Sequence, residues 1–167
     1  MLELKRLSRE AIPGALEKAI RYRLLNEPGE AESVCRDILE VDPQNQEALM
    51  TLVLALTDQF DRLEPAAAVR EAHELLPRLG DEYARAYYRG ILCERRAKAL
   101  LRRGGPGSRH AVHDWLREAM QHFERAGELR PAGNEEALLR WNACARLFAR
   151  HPELEPQPVE SFQPLLE

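Results

Sequence analysis

Apolar residues recur every three or four positions along most of this chain, a spacing that places them on one face of an α-helix. Prolines, glycines and an Asp-Pro pair interrupt the pattern and divide the chain into blocks. The pattern predicts seven helices, over residues 8–26, 29–41, 45–60, 64–79, 81–103, 109–129 and 134–150. Because no block alternates apolar and polar residues with a period of two, we expect an all-α protein.

Three of the predicted helices carry the same spaced set of small or apolar residues. Ala31, Cys35 and Ile38 are separated by four and three positions, and Pro43 follows five residues later. The spacing recurs in the sixth block and, with glycine in place of proline, in the fourth: Ala119, Phe123, Ala126 and Pro131, and Ala68, Ala72, Leu75 and Gly80. Recurrence of this kind predicts repeated helix pairs that bury their apolar faces by stacking.

The shared spacing resembles the second helix of the tetratricopeptide repeat, a two-helix unit of about 34 residues. Gly90 stands in the first helix of the third pair, where this family has the small residue that a close helix crossing needs. The resemblance covers about residues 12–150, and the chain is similar to uncharacterised small bacterial tetratricopeptide repeat proteins. It implies a right-handed superhelical array of antiparallel helix pairs, with about three hairpins and a capping helix.

The chain divides into a helical domain, residues 1–150, and a tail, residues 151–167. The third hairpin is elongated, with its loop at 103–109. The tail has four prolines and four glutamates but no Lys, Arg or Asp, so it carries the whole net charge of −4. Its apolar residues are Phe162, Leu165 and Leu166. Two interpretations stay open: a disordered tail, or one that docks on the array or on a second copy, giving self-association.

Composition narrows the functional classes. The chain has 167 residues, with Lys+Arg 24 against Asp+Glu 28, which argues against a globally basic surface for nucleic acid or membranes. Three widely spaced cysteines provide neither a disulfide framework nor a Cys-x-x-Cys zinc site. The N-terminus lacks the apolar stretch of a signal peptide, so we expect a cytoplasmic protein.

Residues with catalytic or metal-binding chemistry are few. We find no glycine-rich phosphate loop, no Gly-x-Ser-x-Gly and no His-Glu-x-x-His, and we therefore expect no enzyme and no cofactor. His110 and His113 are one helical turn apart, and His122 completes the only histidine grouping. Because no third ligand is evident on that face, we expect no metal site. Cys93 precedes charged residues, but we favour a small core residue over a reactive thiol.

The resemblance also implies a partner-binding groove on the concave side, formed by the first helix of each pair and the terminal helix. Carried over position by position, its residues are Met50, Leu54, Tyr87, Tyr88, Ile91, Glu94, Arg95, Asn142 and Arg146. The groove is apolar toward the N-terminal half and polar toward the C-terminal half, which suits a peptide with an apolar anchor and an acidic end. The predicted function is an adaptor or scaffold that binds a segment of another protein.

A basic run is the strongest local charge signal. It contains six cations and no acidic residue: Arg95, Arg96, Lys98, Arg102, Arg103 and Arg109. A solvated helix face accounts for it, and so does contact with RNA or an acidic protein. No aromatic residue is interleaved for base stacking, so we rank a protein partner above nucleic acid. The alternative functions are a chaperone-like holder of one protein, and an RNA-associated protein that uses the basic overhang at 95–109.

Overall fold

The computed structural model describes residues 2–62 and 65–156. These residues form α-helices joined by turns and short 3-10 segments, and no strand occurs among them, which confirms the all-α prediction. The helices are α1 (Ile12–Leu24), α2 (Pro28–Val41), α3 (Gln46–Thr57), α4 (Ala66–Leu75), α5 (Glu82–Arg103), α6 (Ser108–Leu129) and α7 (Glu136–Arg150). Three 3-10 turns lie at Arg9–Ala11, Leu76–Arg78 and Pro152–Leu154.

Local sequence sets where the helices begin and end. The Asn45 side chain accepts a hydrogen bond of 3.0 Å from the Ala48 amide and so caps α3. Asp81 caps α5 in the same way, through the Tyr83 amide at 3.2 Å. At the other end of α5, Gly104 has a φ of 68°, a left-handed conformation that costs glycine little. The two long helices are therefore separated by a short glycine-rich turn, as predicted.

Each helix packs against the next one in the chain, and the odd-numbered helices also contact one another. α1 packs on α3 and α3 on α5, while Glu94 of α5 pairs with Arg140 of α7. In the α5–α6 pair, Gly90 lies against Phe123, whereas Arg96, further along α5, lies over Trp115, earlier on α6. The two helices are therefore antiparallel.

The core is organised around α5, which buries two opposite faces. Leu92 and Ala99 belong to a cluster shared with α3 and α4, whereas Ile91 and Ala97 belong to a second cluster shared with α6 and α7. A third, smaller cluster joins Leu16, Ile38 and Ala48 near the N-terminus. Since α5 is common to both large clusters, it positions the first four helices relative to the last two.

The packed body extends beyond the predicted boundary at residue 150. Leu154, in the last 3-10 turn, is 3% exposed and belongs to the cluster of α6 and α7. The predicted tail therefore begins as part of the core. Its remaining features, including Phe162, Leu165 and Leu166, lie outside the described residues.

No helix in residues 2–62 or 65–156 combines the length and the apolar composition needed to cross a bilayer.

Candidate functional site

Four of the predicted groove residues lie along the α3–α5 seam, where these two helices pack against each other. Met50 and Tyr88 are partly exposed and pack on the first core cluster, whereas Leu54 and Tyr87 are partly exposed and pack on the second. Each pair joins a residue of α3 to a residue of α5. The seam therefore presents a mixed aliphatic and aromatic surface whose underside is anchored in both cores.

Tyrosines on successive turns of α5 form a stacked group beside this seam. The rings of Tyr83 and Tyr87 are stacked with centroids 5.7 Å apart, and Tyr88 meets Tyr87 edge-on at 5.2 Å. Both distances lie in the range of favourable aromatic pairs. Burial raises the pKa of Tyr88 to about 12, so its hydroxyl stays protonated at neutral pH. The group offers rigid apolar area that loses little conformational entropy on binding.

Two predicted groove residues lie beneath the surface instead of on it. Ile91 and Glu94 are both 0% exposed, so neither contacts a partner directly, which corrects their assignment to the groove wall. The sequence placed both residues in the groove by their repeat position alone. In the structure, the face of α5 that carries them packs against α6 and α7, so both side chains point inward. They support the seam from below.

Glu94 is held in the interior by two cations. Lys98, one turn later on α5, donates to Glu94 Oε1, and Arg140 Nη1 of α7 lies 3.5 Å from Glu94 Oε2. That second oxygen has no hydrogen-bond partner among the described residues. Burial opposes the charge on Arg140, but Glu94 and the Tyr87 hydroxyl outweigh it and raise the pKa of Arg140. The pairing connects α5 to α7 beneath the surface.

Asp58 joins three helices at the other end of the seam. Its carboxylate accepts a 2.8 Å hydrogen bond from Arg23 Nε of α1 and lies 3.3 Å from Arg95 Nη1 of α5. Arg95, which the sequence places in the predicted groove, therefore already shares its charge with Asp58. Its Nε is buried and has no hydrogen-bond partner within the described part of the chain.

The polar half of the predicted groove lies on α7. Asn142 is half-buried and Arg146 is exposed one turn further on. Arg146 lines an open groove of about 420 Å³ together with Lys98 and Arg150, and its floor is made by alanines of α7. Lys98 also pairs with Glu94, which supports the seam from below. The odd-helix face, as we call the partly exposed surface of Met50, Leu54, Tyr87, Tyr88, Arg95, Asn142 and Arg146, thus changes from apolar to basic along its length.

The basic run is not a continuous cationic overhang, because most of its members already have partners. Arg95 pairs with Asp58, Lys98 with Glu94, and Arg102 with Asp61, whose Oδ1 lies 3.2 Å from Arg102 Nε. Two others contact uncharged groups. The guanidinium of Arg96 lies 4.0 Å from the ring centroid of Trp115, and Arg103 donates a hydrogen bond to the Arg62 carbonyl at 3.2 Å. Only Arg109 of the six has no such contact among the described residues. Because carboxylates balance three of the six charges, less positive charge is available for contact with RNA than the sequence suggests.

The three thiols are free and buried, on α2, α5 and α7. Their burial supports the assignment of Cys35, Cys93 and Cys144 as core residues, and it raises the pKa of each thiol to about 12. At pH 8 the thiols are therefore almost entirely protonated, whereas the thiolate is the reactive form.

We therefore expect the native protein to be almost inert toward a thiol reagent such as Ellman's reagent at pH 8. In urea all three cysteines should react within minutes. A single thiol that reacts as fast in the native as in the unfolded protein would contradict the burial described here.

The histidines are grouped differently from the sequence expectation. His110 is exposed at the start of α6, and His113 packs edge-on against Phe148 with ring centroids 5.6 Å apart. His122 instead meets Glu118 and Cys93, and the potential ligand atoms of these three residues all lie within 4.8 Å of one another. His73 of α4 borders this cluster: burial lowers its pKa, as do Arg96 and Arg89, while the charge of Glu118 opposes them.

Sequence reasoning missed this cluster because it searched for histidines on one helix. The signal that could have found it is the register of the hairpin. Once Gly90 is placed against Phe123, antiparallel pairing brings Cys93 opposite the turn that contains Glu118 and His122.

No protein-family model, no curated protein and no solved structure matches this chain. The tetratricopeptide resemblance accordingly stays a prediction from the residues.

Proposed function

We propose that this protein is a protein–protein interaction module, an adaptor or scaffold that binds a segment of a partner on the odd-helix face. In this proposal the helix pairs form a right-handed superhelical array of the tetratricopeptide type, with α7 as its cap. Such an array requires each odd-numbered helix to contact the next one. α1 contacts α3, α3 contacts α5, and an ion pair joins α5 to α7. We place it in the cytoplasm, where buried thiols stay reduced.

The observation that carries the proposal is the α3–α5 seam. Four partly exposed apolar or aromatic side chains lie on these two helices, and each packs against a core cluster. Aromatic anchors held in fixed conformations contribute most of the binding energy at protein interfaces, because little entropy is lost when they are covered. The seam therefore has the composition of a binding hot spot.

Charge on the same face indicates the chemistry of the partner. Arg146 and Arg150 line the groove next to α7 together with Lys98, whose charge is shared with Glu94, and none of the residues that line this groove is acidic. A segment that lies along the face from the seam to this groove would place an apolar side chain on the tyrosines and carboxylates near the cations. The partner segment is thus an extended or helical peptide with an apolar anchor and an acidic end.

The proposal predicts where a partner makes contact. A photo-crosslinking side chain introduced in place of Tyr87 should capture a partner polypeptide in an extract of the native host. The same side chain in place of Arg117, an exposed residue of α6, should capture none. The captured segment, made as a synthetic peptide, should bind the full-length chain with a Kd of about 1 μM, equivalent to about 8 kcal/mol.

Two matched triple variants test the surface. The variant Tyr87→Ala/Asn142→Ala/Arg146→Ala should weaken peptide binding at least 10-fold, since it removes an aromatic anchor and two polar contacts. The variant His110→Ala/Arg117→Ala/Gln121→Ala changes three exposed positions of α6 and should leave the Kd unchanged. Equal capture from positions 87 and 117, or equal Kd values for the two variants, would refute the assignment of this face.

A further inference from the structure

Cys93, Glu118 and His122 combine three side chains that zinc binds in proteins. Glu118 and His122 are one turn apart on α6 and share a side of the helix, and Cys93 approaches them from α5. This arrangement does not follow from the adaptor function, since none of the three residues belongs to the odd-helix face. It therefore needs an explanation of its own.

The geometry is close to that of a bound zinc ion. Ligand atoms at about 2.0–2.3 Å from a tetrahedral zinc are roughly 3.3–3.8 Å from one another. His122 Nε2 already lies 3.5 Å from Glu118 Oε1, and the largest separation within the cluster is under 4.8 Å. The separations therefore exceed those of a loaded site by about 1 Å at most, so binding requires only small movements of the three side chains.

Burial and exposure are divided among the ligands in a way that suits metal entry. Cys93 is 1% exposed, so the sulfur lies in the core, whereas the His122 and Glu118 side chains are 25% and 47% exposed. The ion has a path from solvent past the carboxylate and the imidazole. A thiolate and a carboxylate together balance the two charges of the ion, so the loaded site is neutral despite the nearby guanidinium groups of Arg89 and Arg96.

We propose that Cys93, Glu118 and His122 form a binding site for Zn²⁺, with water in the fourth coordination position. On binding, the sulfur of Cys93 loses its proton to solvent and the ion takes its place, so that α5 and α6 are cross-linked near the middle of the long hairpin. A borderline-soft cation is expected because the donor set is one sulfur, one nitrogen and one oxygen.

Cobalt is the probe for the test, because Co²⁺ reports its ligands spectroscopically. The full chain, stripped of metal with a chelator and kept reduced, should develop visible d–d bands of four-coordinate cobalt and a near-ultraviolet thiolate-to-cobalt band. One equivalent of Zn²⁺ should abolish both. Cys93→Ser should remove the thiolate band, and His122→Ala should weaken Zn²⁺ binding at least 10-fold.

Matched controls separate this site from other cysteines and histidines. Cys35→Ser alters a thiol that is equally buried on α2, and His110→Ala alters an exposed histidine of α6; both should retain the wild-type bands and affinity. His122 is partly exposed, so its variant keeps the hairpin folded, which circular dichroism verifies. The absence of a thiolate band in the wild type, or its persistence in Cys93→Ser, would overturn the proposal.

Discussion

Replacing Gly90 with alanine is expected to destabilise the protein by about 1–3 kcal/mol, the usual cost of inserting a methyl group into a packed core. A Cβ at position 90 would lie 2.6 Å from Cε1 of Phe123, closer than side-chain carbons approach one another. Phe123 is 1% exposed and contacts Tyr87, so its ring has little room to move. Urea denaturation monitored by circular dichroism measures the free energy of unfolding.

Gly127 provides the matched control within the partner helix. It lies inside α6, and a Cβ built on it meets nothing within 4 Å. Gly127→Ala should therefore stabilise the protein by about 0.5–1 kcal/mol, because alanine favours the helix over the unfolded chain. The double variant Gly90→Ala/Phe123→Leu should recover part of the loss. Equal free energies of unfolding for the two alanine variants would show that Gly90 does not set the distance between α5 and α6.

The second large effect is expected at the buried carboxylate. Arg140→Met removes one of the two cations of Glu94 and leaves a 0% exposed oxygen facing an apolar side chain. Breaking a fully buried pair costs about 3–5 kcal/mol, but Arg140 is 32% exposed and Lys98 remains, so we expect about 2 kcal/mol. Glu94→Gln/Arg140→Met should be more stable than Arg140→Met alone, since the buried side chain then no longer carries a charge that Lys98 alone must balance.

A surface ion pair gives the comparison. Arg125 and Glu128 of α6 are 2.9 Å apart and 58% and 66% exposed, so Arg125→Met should change the free energy of unfolding by less than about 0.5 kcal/mol. A loss for Arg140→Met as small as that for Arg125→Met would mean that Glu94 is reached by water.

The helices follow from the sequence because the signals that define them are local. Asn45 caps α3 through its own neighbouring amide, and Pro13 falls in the first turn of α1, where its missing N–H costs nothing. The predicted helix 64–79 is shorter in the structure, ending at Leu75 and continuing as a 3-10 turn. Pro77 explains this, because its ring displaces the carbonyl four residues earlier and the last turn tightens.

The site could be predicted only in part, because it depends on the register between helices that are distant in sequence. Tyr87 and Tyr88 were found from their repeat position, and the structure places them at the α3–α5 seam. Glu94 was assigned to the groove wall by the same rule, but pairing with Arg140 lets a charged residue be buried. The sharing of Asp58 by Arg23 and Arg95 joins residues from three helices, and no pattern in the sequence encodes it.

The α5–α6 hairpin is long but closed by a short turn, which favours its early formation during folding. Each of its helices spans 22 residues, and a short turn joins them, so the residues that meet nearest the turn are only a few positions apart in sequence. Closing such a loop costs little entropy, and contacts of this kind form early in folding. The longest hairpin is thus suited to act as the folding nucleus. The N-terminal helices can then pack on one apolar face of α5, and α7 can pack on the other.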